Sequence, residues 1–147
     1  MRPGYRKRMT EPPERFARSA GVDDKTVDAV GALTSAMETV IRARGALYEF
    51  HQLTGKADNE LTDAVRLLRD AGHHQVADDL QRELVGRNVN DGRWTFQIVE
   101  DYERTYYEPW TEHHRKVRDD LTGGHAHQQE AEMKTDRTTH GKPGHGF

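Results

Sequence analysis

Apolar side chains recur along the chain at intervals of three and four residues, which is the spacing of amphipathic α-helices. The pattern predicts three long helices: helix A from Asp23 to Thr54, helix B from Asn59 to Val85 and helix C from Asp91 to Thr122. Glycine lies at or just beyond the end of each predicted helix, where it favours the left-handed backbone of a C-cap. No run of alternating apolar and polar residues predicts a strand.

The connections between the predicted helices are only a few residues long, so consecutive helices are expected to be antiparallel. The sequence therefore predicts an all-α fold, an elongated antiparallel bundle of three long helices. A short fourth helix is expected in the polar segment from Gln128 to Arg137. That segment is too polar to be the fourth member of a core. A complete four-helix cross-section would therefore need dimerisation. The predicted organisation is a basic flexible arm at 1–22, a helical bundle domain at 23–122 and a polar, histidine-containing tail at 123–147.

Ionisable residues lie in the apolar stripes, at positions where leucine would be usual. Arg44 lies in the middle of the helix A stripe with His51 close to the same line, and His113 lies within the stripe of helix C. Breaking a buried ion pair costs about 3–5 kcal/mol, so such groups must be bonded to one another, to water or to a ligand. They form a network that fixes the helix register, extend their polar ends to solvent at the edge of the stripe, or line a polar pocket. The candidate ligand-binding residues are Arg44, Tyr48, His51, Tyr102, Tyr106 and His113.

Helix C also holds six of the 11 aromatic residues of the chain. Most are expected in the core, but Phe96 and Tyr107 point away from the main stripe, and exposed aromatic residues are typical of interfaces. The pattern therefore predicts a homodimer that forms through the helix C aromatics. Pro109 interrupts this helix and is expected to bend it.

Motifs for the common catalytic and metal chemistries are absent. The chain has no cysteine, so thiol chemistry and cysteine-ligated metal sites are excluded. No Glu-x-x-His pair, His-Glu-x-x-His helix, phosphate-binding glycine loop or serine nucleophile turn occurs. No cofactor is therefore predicted. A metal is left open, because four histidines of the tail have side chains that suit zinc, copper or nickel; they are His125, His127, His140 and His145.

The net charge of −3 is unevenly distributed. Residues 1–18 carry +4, residues 123–147 are balanced and the part between them carries −7. An arm of +4 on an acidic body does not favour nucleic acid as a partner. No apolar run approaches the ~18 residues of a membrane span. The basic N-terminus is not followed by the apolar segment that a signal peptide requires. A cytoplasmic location is expected.

Two regions of the chain resemble a group of small prokaryotic helical proteins that have no assigned activity. The residues that carry the likeness are Arg82–Asn88, Gly92–Gln97, Asp101-Tyr102, Glu130–Lys134 and Pro143–His145. The resemblance covers residues 57–146. It implies that the turn before helix C and the tail are features of that group, and it assigns no catalytic residue.

Three functions are compatible with these patterns. The first is a non-enzymatic, self-associating helical interaction protein, which agrees with the thin core and the absence of catalytic motifs. The second is a small-molecule-binding or metal-binding bundle, with enzymatic activity left open, in which Arg44 supplies a fixed cation and His51 a proton donor or acceptor. The third is an anion- or nucleic-acid-binding accessory protein that acts through the basic arm, although the acidic body would repel a polyanion.

Overall fold

The structure, a computed structural model, describes residues 12–125 and 127–147. Over these residues the chain is helical and contains no strand, which confirms the predicted all-α class. The described chain divides into two compact units, a central unit of Thr39–Pro109 and a terminal unit built from the residues up to Glu38 and from Trp110 onward. The elements are a 3-10 helix at Glu14–Phe16, α1 at Asp24–Asp70, α2 at His74–Glu83, α3 at Thr95–Tyr102, a π-helix at Glu103–Tyr107, α4 at Glu108–Thr122 and α5 at Gln128–Arg137.

Helix α1 continues through the position where the sequence predicts the end of helix A, so the predicted break at Gly55 is wrong. The reason is a stripe of inward positions, spaced by three and four residues, that runs through residues 30–68 without interruption. Each member of this inner stripe is buried or half-buried. One glycine costs a helix only about 1 kcal/mol, which is less than the loss of a continuous buried face. The members are Val30, Leu33, Met37, Val40, Arg44, Leu47, His51, Thr54, Asp58, Leu61, Val65 and Leu68.

The chain reverses after α1, at Ala71–His73. Gly72 has a φ of +88°, a backbone conformation that favours glycine. Helix α2 then returns along α1, with Arg69 bonded to Asp78 at 2.9 Å. Predicted helix B is thus two elements, because its first half belongs to α1 and only its second half forms α2. The predicted three long helices of similar length are therefore not observed, because α1 is much longer than the other helices.

Helices α3, π and α4 follow one another without a gap from Thr95 to Thr122, over most of predicted helix C. The first helical residue is Thr95 rather than Asp91, because the Gln97 side chain accepts a hydrogen bond from the Trp94 backbone N–H at 2.8 Å. The helix ends before Gly123, as predicted, and this glycine has a φ of +63°.

The π-helix lies directly before Pro109. Proline has no backbone N–H, and its ring needs space near the carbonyl group four residues earlier. In the wider π-turn, the Glu108 N–H bonds to the Glu103 carbonyl, five residues back, and this accommodates the proline. The disturbance expected at Pro109 therefore takes the form of an extra residue in one helical turn.

In the terminal unit, α5 has the bounds predicted from the sequence and packs on the first part of α1. Gly31 allows this approach, because a Cβ at that position would lie 2.0 Å from the Gln129 Oε1 atom. Arg18 binds both carboxylate oxygens of Glu132, at 2.6 and 2.9 Å. The tail is therefore docked over α5, and Arg18 docks the last part of the predicted arm. Residues 1–11 of that arm lie outside the described residues.

Replacing Gly55 with alanine is expected to raise the free energy of unfolding by about 0.5–1 kcal/mol. The position is inside α1, and an added Cβ meets no neighbouring atom. Gly45→Ala should have the same sign, since its surroundings are equally open. Urea denaturation measures both. Gly72→Ala is the matched control and should destabilise, because of its positive φ. A destabilising Gly55→Ala would instead support a turn at residue 55.

Candidate functional site

A polar cluster in the central unit gathers four of the six candidate residues around Glu103. The Arg44 Nε donates a hydrogen bond to the Glu103 Oε1 at 2.5 Å, and the Tyr48 hydroxyl donates to the same oxygen at 3.1 Å. The Tyr102 and Tyr106 rings complete the cluster, with their centroids 5.5 Å apart. Glu103 was not among the residues singled out from the sequence. It would have been found by searching the facing helix for an acidic partner of Arg44.

The two ends of the π-helix both contact Arg44. Glu103 forms the ion pair, and the Tyr107 ring centroid lies 4.5 Å from the Arg44 guanidinium carbon. The Tyr48 ring centroid is 5.1 Å from the same carbon. The guanidinium is therefore held by a carboxylate and by two aromatic rings, an arrangement that arginine favours over lysine.

The ion pair sets the electrostatics of the cluster. The hydrogen bond from Arg44 lowers the pKa of Glu103, and the same bond raises the pKa of Arg44. Burial raises the pKa of Tyr102, whose hydroxyl has no hydrogen-bond partner among the described residues. Because Glu103 already neutralises Arg44, the cluster offers no unpaired cation for an anionic ligand. Its geometry is that of a network that fixes the pairing of α1 with the π-helix.

His51 and His113 lie outside this cluster. The His51 Nδ1 forms a 2.7 Å hydrogen bond with the hydroxyl of Thr95, a buried residue at the start of α3. His113 belongs to the terminal unit and its side chain is exposed, so the predicted inward orientation is wrong. The next residue, His114, is the half-buried one; its Nε2 lies 2.9 Å from the Thr34 hydroxyl, and burial lowers its pKa.

The π-helix explains this shift of one residue. Its extra residue rotates every following position, so an uninterrupted 3.6-residue period no longer describes the inward face. Tyr106 is 48% exposed whereas Tyr107 is half-buried, which reverses the predicted orientations. In the same way, Leu121 is 49% exposed and Thr122 is 1% exposed.

A second apolar stripe, here called the outer stripe, runs along the exposed side of α1 in the central unit. Phe50, Leu53 and Leu67 are 44%, 57% and 57% exposed. These three residues and four alanines follow one another along the helix at intervals of three and four residues. Glu60 is the one polar residue in the row. The outer stripe consists of Ala43, Ala46, Phe50, Leu53, Ala57, Glu60, Ala64 and Leu67. Its spacing is visible in the sequence, whereas the aromatic pattern places the predicted interface on helix C.

A cleft of about 450 Å³ lies between α1 and the loop that leads into α3. Leu61, Leu84, Val89 and Trp94 give it an apolar lining. The loop is held by two hydrogen bonds: the Gly86 N–H donates to Asp58 at 2.8 Å, and the Trp94 Nε1 donates to the Gly86 carbonyl at 3.1 Å. The cleft lies beside the polar cluster along α1 and shares none of its residues.

Other features bear on the remaining expectations. The described residues contain no group of three or more histidine, aspartate or glutamate side chains placed to hold a metal ion. Over the same residues, no helix combines the length and apolar character needed to cross a membrane.

Comparisons with protein-family models, with curated proteins and with solved structures give no match for this chain. The resemblance to a group of small prokaryotic helical proteins therefore stays a prediction.

Replacing Glu103 with glutamine is expected to lower the free energy of unfolding by about 1 kcal/mol at neutral pH, since a charge-assisted hydrogen bond becomes a neutral one. The pKa of Glu103 is lowered from its ordinary value of 4.5, so its contribution is complete above that pH and is lost as the pH falls through the folded-state value. The difference between wild type and variant should therefore shrink on acidification. Denaturant titrations from about pH 7 to about pH 3 measure it.

The matched control is Glu100→Gln, which changes an exposed carboxylate on the neighbouring helix α3. It should have little effect at any pH. If the Glu103→Gln difference did not change with pH, the ion pair would not be the stabilising contact.

Proposed function

We propose that this protein is a helical interaction protein that self-associates and acts by binding rather than by catalysis. The observation that carries the proposal is the outer stripe of α1. Single exposed apolar residues are ordinary on protein surfaces, but a row of them along one helix face is typical of an interaction site.

The small number of buried apolar residues supports the same function. Large hydrophobic side chains that are more than a third exposed outnumber the buried apolar residues in the described chain. Burial of apolar surface is the main stabilising contribution to folding, so a second copy that covers the three exposed side chains of the outer stripe, Phe50, Leu53 and Leu67, would add to a thin core. The proposal includes a cytoplasmic location, which agrees with the absence of cysteine.

The polar cluster supports binding over catalysis. Its cation and carboxylate are bonded to each other, and its histidine candidates lie elsewhere. General acid–base chemistry needs a titratable group within hydrogen-bond reach of a substrate, and a guanidinium already paired with a carboxylate does not supply one. The cluster is better suited to setting the register of two helices.

Sedimentation equilibrium of the full chain is expected to show a reversible dimer. The midpoint of thermal unfolding should rise with protein concentration, because association stabilises only the folded state. A strictly monomeric protein, with an unfolding midpoint independent of concentration, would contradict self-association.

The apolar cleft favours a second candidate function, the binding of a small apolar ligand. Its volume of about 450 Å³ lies within the range of ligand pockets in proteins. The fluorescent probe 1-anilinonaphthalene-8-sulfonate is expected to bind there with one-to-one stoichiometry and to change the emission of the lining residue Trp94.

Val89→Asp should abolish that binding, because it places a carboxylate in the apolar lining. Val76→Asp is the matched control, since Val76 is an exposed apolar residue on α2 that does not line the cleft. Equal loss of binding in both variants would show that the probe binds elsewhere.

A further inference from the structure

We infer that the outer stripe of α1 is the contact between two copies of this chain, and that the two α1 helices pair there in antiparallel orientation. The inference rests on the proposed self-association and specifies its surface and direction. It is carried by two features of the same helix: the exposed apolar stripe and a row of alternating charges beside it.

The stripe has the side-chain sizes that close antiparallel packing needs. If Phe50 faces the partner's Leu53, then Ala46 faces the partner's Ala57, and both contacts occur twice by symmetry. The largest side chains thus lie nearest the two-fold axis, and alanines on either side allow the helix backbones to approach. Phe50 and Leu53 are 44% and 57% exposed, so both are available for this contact.

The charged row fixes the direction. Arg42, Glu49, Lys56 and Asp63 are seven residues apart, and each immediately precedes a member of the outer stripe. All four are exposed. Their signs alternate along the helix, so reversing the direction of the second copy exchanges positive for negative at every position.

The register set by the apolar contacts also aligns these charges. With Phe50 opposite the partner's Leu53, the flanking row brings Glu49 beside the partner's Lys56 and Arg42 beside the partner's Asp63. Flanking charge pairs of this kind determine the orientation of paired helices. In total, four favourable pairs result across the two-fold axis.

A parallel arrangement lacks this agreement. Identical residues of the stripe would then face one another, so Glu60 would meet its own copy across the contact. The charged row would lie against the buried inner stripe of the partner helix, which carries leucine and threonine there. The charges therefore favour the antiparallel direction.

Charge reversal tests the surface and the direction together. Glu49→Lys and Lys56→Glu should each weaken the dimer about tenfold at low salt, because each replaces two attractive contacts with two repulsive ones. The double variant Glu49→Lys/Lys56→Glu should restore wild-type affinity, since it exchanges the two signs. Leu53→Glu should weaken the dimer on the order of a hundredfold or more, because it places two carboxylates in the apolar centre.

The matched control is Glu38→Lys, which reverses an exposed charge on α1 outside the outer stripe and its charged row and should leave the dissociation constant unchanged. Sedimentation equilibrium gives the constants, and circular dichroism verifies that each variant is folded. A dimer that Leu53→Glu does not weaken would overturn the surface while leaving self-association intact. Weakening by both single reversals without rescue in the double variant would overturn the antiparallel register.

Cross-linking tests the direction independently, because the chain has no cysteine and each introduced one is unique. Mixed Arg42→Cys and Asp63→Cys proteins should be joined by a short bismaleimide. Neither variant should be joined to itself, because two copies of residue 42 would lie about 30 Å apart along the helix axis. Efficient cross-linking of Arg42→Cys to itself would support parallel pairing and overturn the inference.

Discussion

Arg44, His51 and Asp58 lie in the inner stripe of α1, where an ordinary pair of helices would place leucine. Each has a specific partner in the central unit: Glu103, the Thr95 hydroxyl and the Gly86 N–H. The three side chains are half-buried, so a shifted pairing that left them without partners would lose these hydrogen bonds and is disfavoured. The polar positions of α1 thereby determine where the chain from Gly86 to Glu103 lies along the helix, and the cleft and the polar cluster follow from that.

The parts of the fold that depend on local patterns were predictable. The helical class, the bounds of α5 and the end of α4 all follow from hydrophobic spacing and from glycine beyond a helix end. The continuation of α1 through Gly55 was not predictable in this way, because glycine signals a helix end only where the buried face also ends. The inner stripe passes through Thr54 and Asp58. Polar residues at these two positions suggest a turn when only the sequence is considered.

The candidate site was predictable as a group of residues but not as a geometry. Arg44, Tyr48 and Tyr102 lie together because their spacing on two helices brings them to one level. The π-helix could not be derived from the periodicity of apolar residues, since it changes that period. Its extra residue is the reason that His114, rather than His113, lies on the inward face. Pro109 was the visible signal, although it predicted a bend where the structure inserts one residue.

The inner and outer stripes place different demands on the same helix. The inner stripe tolerates arginine, histidine and aspartate because the chain supplies a fixed partner for each. In the outer stripe, the three large apolar residues remain exposed, the single glutamate pairs with Lys56 of the same helix, and the other members are alanines. A surface that only had to remain in water would not need Phe50 and Leu53 adjacent on one face, beside charges that alternate every seven residues. The distinction is between specificity obtained from polar pairs within one chain and, in the dimer we propose, specificity obtained from flanking charges between two chains.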